Sequence, residues 1–112
     1  MTSIRLVLAA PVALVLVAAG CGESANSEPV ATTDVAMAKS YRFDPKTIEV
    51  EAGQSVTWTN EDNFTHTVQV DGQEDQKVER GESVSITFDK PGTYHYVCTL
   101  HSQDMDGDVI VE

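Results

Sequence analysis

The chain has 112 residues, which is enough for one small domain and no more. It contains 7 Lys and Arg residues against 18 Asp and Glu residues, so its formal net charge at pH 7 is -11. This acidic balance argues against a nucleic-acid partner, because phosphate binding needs a basic surface. The two cysteines, Cys21 and Cys98, allow at most one disulfide within the chain, but each has a better explanation.

The first twenty residues differ from the rest. A single basic residue, Arg5, precedes the almost wholly aliphatic run 6–19. This run is short for a membrane span, and a charge followed by an apolar stretch is the order of a secretory signal. We therefore predict a signal peptide over residues 1–20 and an extracytoplasmic protein. An uncleaved anchor is one alternative.

The end of this segment, residues 17–21, reads VAAGC and resembles a bacterial lipobox. The resemblance implies that the signal is cut before Cys21 and that lipid is attached to its thiol. The mature protein would then be attached to the cell membrane, in a periplasm or on the outer cell surface. An ordinary signal peptide that leaves Cys21 as a free thiol is the other alternative.

Residues 21–34 follow as a small, polar and acidic segment, with Val30 as its one sizeable apolar residue. Such a segment buries too little surface to offset the entropy lost on ordering, so we predict a flexible linker. The linker would hold a folded domain, residues 35–112, away from the membrane surface.

From residue 35 onward, short runs alternate between apolar and polar residues and are separated by turn residues, which is typical of an antiparallel β protein. No stretch shows a sustained helical period. The clearest runs are 47–51, 55–60, 66–70, 83–88, 93–98 and 107–111. We predict an all-β Greek-key sandwich or small barrel of seven or eight strands.

The loop after the aromatic run 93–98 carries a thiol, an imidazole and a thioether, from Cys98, His101 and Met105. One short loop can bring three groups to a single ion at modest entropic cost. Sulfur ligands with imidazole select copper or zinc over magnesium or calcium. Two His, one Cys and a weak axial Met form a blue-copper electron-transfer site, so a second His is required. The plain alternative is that the Cys and Met are ordinary core side chains.

Strand parity distinguishes the two remaining histidines. Successive side chains of a strand face opposite sides, so His95 should point away from Cys98. His66 begins the run 66–70 and shares the parity of its two valines, which directs it to the core. We therefore predict His66 as the fourth ligand and His95 as a residue of the sheet surface. For His66 taken alone, a buried core histidine is the alternative.

Residues 41–112 resemble a cupredoxin of the plastocyanin and amicyanin group. The matching segments are FDP at 43–45, IEV at 48–50, Gly53, VTWTN at 56–60, HTV at 66–68, GTYHYVC at 92–98, and the loop through Met105 and Gly107. The resemblance implies a Greek-key β-sandwich with one type 1 copper ion at one end. The implied ligands are His66, Cys98 and His101 in the equatorial plane and Met105 in the axial position. The implied role is that of a one-electron carrier that docks its redox donor and acceptor near His101. Because four ligands leave no open coordination position for a substrate, we predict that the chain is not an enzyme, and we expect a monomer.

Two features depart from the family pattern. Three residues separate His101 from Met105, whereas amicyanin-like loops have two and plastocyanin-like loops have four. Thr65 precedes His66 where Pro is common, and Thr67 follows it where Asn is frequent. We therefore expect changes in the axial bond and in the hydrogen bonds around the ligands.

Acidic residues flank the two ligand segments, at Glu61, Asp62, Asp104, Asp106 and Asp108. They predict an acidic rim that favours a basic partner and makes association salt-dependent; a plain solvated surface is the alternative.

Three other functions are compatible with the sequence. A copper-binding and copper-delivery lipoprotein would hold the metal as cargo, although a closed site favours retention. A metal-free sandwich would serve as an adhesion or interaction module, and zinc would fit the same ligands tetrahedrally. A dinuclear copper centre is excluded, because it needs a second cysteine in the loop.

Overall fold

The computed structural model describes residues 28–101 and 105–112. Within these ranges no helix is long and apolar enough to cross a membrane. The described strands are β1 (Val30–Ala31), β2 (Asp34–Ala38), β3 (Arg42–Asp44), β4 (Thr47–Val50), β5 (Gln54–Asn60), β6 (His66–Val70), β7 (Gln76–Val78), β8 (Ser83–Phe88), β9 (Gly92–Val97) and β10 (Asp106–Val111). The predicted signal peptide, the predicted lipidation site Cys21 and the rest of the predicted linker up to residue 27 lie outside the described residues.

The strands form two sheets with a shared core. One sheet has the order β1-β4-β10-β9-β6-β7, and the other has the order β3-β2-β5-β8. Strand β4 pairs in parallel with β1 and β10, and β2 pairs in parallel with β5; the other pairings are antiparallel. Parallel neighbours require the chain to cross from one part of the fold to another, as in Greek-key sandwiches. The predicted all-β sandwich is confirmed.

Buried aromatic rings join the two sheets. Trp58 of β5 meets Tyr96 of β9 edge to face, with ring centroids 5.1 Å apart, and both side chains are fully buried. Phe43 of β3 packs edge-on against Tyr96 at 4.7 Å. Edge-to-face pairs of this kind add attraction beyond the buried area. These contacts fix the position of β9, and Cys98 is the next residue along the chain.

The strand count and the start of the fold differ from the prediction for a common reason. The described residues form ten strands instead of seven or eight, and three of them, β1, β3 and β7, have only two or three residues. Strand β1 lies inside the segment predicted as linker, where exposed Val30 and Ala31 pair with β4. Strands that are very short, or that bury no side chains, leave no apolar alternation in the sequence. Folded structure is therefore present by Val30, before the predicted boundary at residue 35.

Candidate metal centre

Three side chains with metal-binding atoms meet at one end of the sandwich. His66 begins β6, Cys98 follows β9, and His101 lies in the loop between β9 and β10. One ligand atom from each lies within 4.8 Å of the other two. The Sγ atom of Cys98 is 3.8 Å from Nδ1 of His66 and 3.6 Å from Nδ1 of His101. Two imidazoles thus turn the same kind of nitrogen toward one sulfur.

Strand pairing brings the distant histidine to the cysteine. Strands β6 and β9 are antiparallel neighbours, with Val70 opposite Tyr96, so the beginning of β6 lies beside the end of β9. His66 is fully buried, in agreement with its parity. His95 instead lies on the sheet surface, where its Nδ1 is 2.9 Å from Oδ1 of Asp108. The structure therefore places His66, and not His95, with the cysteine loop.

The loop from Cys98 to Met105 is closed by three backbone hydrogen bonds of 3.0 Å. The N–H of Cys98 donates to the carbonyl of Met105, the N–H of Met105 to that of His101, and the N–H of His101 to that of Cys98. The Met105 side chain is fully buried. These bonds tie the three predicted loop ligands together despite the unusual spacing before Met105. The intervening residues 102–104 lie outside the described residues.

Thr67 connects the His66 segment to the cysteine loop. Its backbone N–H donates to Sγ of Cys98 at 3.4 Å, and its Oγ1 accepts the N–H of Thr99 at 2.7 Å. The hydroxyl of Thr99 donates its one proton to Oδ2 of Asp75 at 2.9 Å. In the hydrogen bond between the two threonine hydroxyls, also 2.9 Å long, Thr67 is therefore the donor and Thr99 the acceptor. The Thr67 hydroxyl oxygen is 3.7 Å from Sγ of Cys98, so the backbone N–H of Thr67 is the main hydrogen-bond donor to the sulfur. Through its backbone N–H and its hydroxyl, Thr67 thus joins the His66 segment to the cysteine loop.

The substitution Thr67→Val should lower the free energy of unfolding by about 1–3 kcal/mol, because the N–H of Thr99 loses its acceptor in a partly buried position. The matched control is Thr57→Val, which removes an exposed hydroxyl 2.8 Å from that of Ser85. Denaturant unfolding of the metal-free full-length protein measures both variants. Equal losses for the two would contradict the connecting role of Thr67.

A buried carboxylate lies on the outer side of His66. Oδ2 of Asp62 is 2.9 Å from Nε2 of the imidazole, and Asp62 is 4% exposed. Burial alone would raise the pKa of Asp62, but the hydrogen bonds from His66 and the N–H of Asn63, with the charges of His66 and Lys39, bring it below its ordinary value. The prediction that Asp62 belongs to an exposed acidic rim is therefore wrong, because its side chain points inward to the imidazole.

An aromatic ring covers the other imidazole. Tyr41, in the turn between β2 and β3, stacks on His101 with ring centroids 4.4 Å apart and planes 27° apart. Ser40 and Tyr41 both have positive φ, at 74° and 56°, which is costly for residues other than glycine. The turn therefore holds the ring over His101 in a backbone conformation that the surrounding structure must maintain. Sequence reasoning missed this contact, since no local pattern marks Tyr41.

The comparisons with known proteins agree with this geometry. A family model described as a cupredoxin-like domain matches residues 10–111. Amicyanin-alpha of Methylorubrum extorquens is 35% identical over 112 residues, covering 94% of this chain and 92% of the relative. Plastocyanin of Scenedesmus fuscus is 33% identical over 84 residues, covering 62% of this chain and 86% of the relative. A solved amicyanin variant in the Cu(I) form is 32% identical with a TM-score of 0.62, covering 70% of this chain and 80% of that one.

A sandwich with a thiol and two imidazoles at one end is the arrangement of a mononuclear copper protein. The chain belongs to the cupredoxin-like family. Within that family it is similar to amicyanins and plastocyanins, so the predicted blue-copper electron carrier with one copper ion is confirmed at the level of the family. The roles of the individual residues as ligands stay predictions.

Proposed function

We propose that the chain carries single electrons between redox proteins outside the cytoplasm, by means of one type 1 copper ion. The proposed ligands are His66, Cys98 and His101 in the equatorial plane and Met105 in the axial position. The observation that carries this proposal is the convergence of one thiol and two imidazole Nδ1 atoms at a largely buried point. When bound, the ion supplies a one-electron couple between Cu(II) and Cu(I).

The protein contributes a fixed set of ligands and the exclusion of water. Cys98 and Met105 are fully buried, and three backbone hydrogen bonds hold their loop. The backbone N–H of Thr67 donates a hydrogen bond to Sγ of Cys98 at 3.4 Å, which helps to hold the sulfur in place. Side chains of the protein would fill all four coordination positions of the copper ion and leave none for a substrate. We therefore propose electron transfer without catalysis.

The least buried of the proposed ligands, His101, marks the side for electron entry and exit. An apolar face surrounds it, which we define as Tyr41, Phe64 and Leu100; the last two are each 55% exposed. Redox partners would dock on this apolar face. The net charge of -11 favours a basic partner and a docking rate that falls as salt increases. We also propose attachment to the membrane through lipid on Cys21.

Stepwise addition of Cu(II) to the purified full-length chain tests this function. We expect an intense blue colour that saturates at one equivalent of copper and persists when a chelator is added. A colourless product would favour zinc or a metal-free interaction module. A blue product that loses its copper rapidly to the chelator would favour copper delivery, the alternative that the sequence left open.

The substitution Tyr41→Ala should speed the loss of copper to a chelator by about 2- to 10-fold, because an aromatic pair contributes about 0.5–1.5 kcal/mol. The reason is that the stacked ring holds His101 in place. The control Tyr41→Phe keeps the ring and should behave like the wild type. The rate of copper transfer to the chelator measures both, and equal rates for the two variants would rule out the stacking effect.

A further inference from the structure

The two nitrogens of His66 have different partners. Nδ1 faces Sγ of Cys98 at 3.8 Å, whereas Nε2 is 2.9 Å from Oδ2 of Asp62. The imidazole is fully buried and the carboxylate nearly so, which leaves little water to screen the pair. An acidic side chain is thus fixed directly behind the proposed copper ligand.

The loop between β5 and β6 fixes the orientation of the carboxylate. Asn60, itself 1% exposed, donates from Nδ2 to the carbonyls of Phe64 and Val78 at 2.8 and 2.9 Å. Its Oδ1 accepts the N–H of Asp62 at 2.8 Å. The second carboxylate oxygen of Asp62, Oδ1, accepts the N–H of Asn63 at 2.7 Å. Rotation of the Asp62 side chain away from His66 would therefore also break the hydrogen bond from the N–H of Asn63.

This arrangement determines which nitrogen carries the imidazole proton. An ionised carboxylate only accepts hydrogen bonds, so the proton between Asp62 and His66 belongs to Nε2. Nδ1 then presents a lone pair toward the thiol of Cys98, which is the form that binds a metal. The negative charge also makes the imidazole a stronger donor, and it attracts a doubly charged ion more than a singly charged one.

We propose that Asp62 is a positioning residue that fixes His66 in its Nδ1-binding form and lowers the reduction potential of the copper couple. This inference rests on the proposed function. The couple is Cu(II) + e⁻ → Cu(I), with the electron supplied by the donor redox protein. Reduction takes up no proton, because Asp62 and His66 share the same proton in both oxidation states.

The substitution Asp62→Asn removes the charge at nearly constant size. By cyclic voltammetry of the copper-loaded full-length chain, we expect the ratio of Cu(II) to Cu(I) affinity to fall about 10-fold or more. Each tenfold change corresponds to a rise in potential of about 59 mV for a one-electron couple. The matched control is Asp71→Asn, which removes the same charge from an exposed turn after β6 and should leave the potential unchanged.

A second measurement requires neither copper nor a variant protein. In the ¹⁵N NMR spectrum of the metal-free wild-type protein near neutral pH, His66 should carry its proton on Nε2. A proton on Nδ1 alone would overturn the proposal, as would equal potentials for Asp62→Asn and Asp71→Asn. A wild-type protein without a reversible wave would instead count against the proposed function, and the NMR result would still decide whether Asp62 positions His66.

Discussion

The variant Cys98→Ser should lose the blue colour of the copper-loaded protein completely. The colour of a blue-copper site requires a thiolate bound to the ion, and a serine hydroxyl does not ionise near neutral pH. Cys98 is the buried sulfur on which both imidazoles converge, so no other side chain of the described residues can replace it there. Visible absorption after addition of one equivalent of Cu(II) measures the effect.

The chain provides a matched control for this variant, because it has a second cysteine. Cys21→Ser makes the same chemical change at the predicted lipidation site and should keep the full colour of the wild type. Colour retained by Cys98→Ser, or lost by Cys21→Ser, would contradict the assignment of Cys98 as the thiolate ligand.

The variant Gly107→Ala should destabilise the fold by about 3 kcal/mol or more, at the upper end of the range for overpacked sites. Gly107 is on β10, opposite Tyr96 of β9. A Cβ atom would collide with the backbone carbonyl of Lys46 and would lie 2.5 Å from the hydroxyl oxygen of Tyr96. Tyr96 is fully buried and donates a hydrogen bond to the same carbonyl at 3.2 Å, so the ring has no free space to move into.

The control for this prediction is another glycine, Gly72. Its φ of 82° is in the left-handed region, but a Cβ atom there would meet nothing within 4 Å. Gly72→Ala should therefore cost only the backbone strain, about 1–2 kcal/mol. Denaturant unfolding of the two metal-free variants gives the comparison. A larger loss for Gly72→Ala would show that backbone conformation, and not the close approach of β10 to Tyr96, determines the cost.

The convergence of His66, Cys98 and His101 was predictable because it depends on local rules. Cys98, His101 and Met105 lie on one loop, and the period of two in a strand directs His66 inward and His95 outward. The structure follows this parity. The sandwich class was also predictable, since most of its strands are long enough to show alternation between apolar and polar residues.

The surroundings of the ligands were not predictable in the same way. Tyr41 meets His101 only because the turn after β2 reaches the end of the sandwich where the loops meet. Asp62 was assigned to the surface because acidic residues in polar loops are usually solvated. The Asn and Asp residues at 60, 62 and 63 do indicate a loop held by local hydrogen bonds, since such side chains often bond to nearby backbone groups. No sequence pattern, however, indicates that the carboxylate reaches an imidazole.

X-ray absorption spectroscopy of the copper-loaded protein, in the Cu(II) and Cu(I) forms, tests the central claim most directly. We predict one sulfur from Cys98 and two imidazole nitrogens, from His66 and His101, bound to copper in both forms with little change in bond length. A weak or long contact with Met105 is compatible with this prediction. A copper ion without a bound sulfur, or one that loses a nitrogen ligand on reduction, would contradict the account of a fixed site for electron transfer.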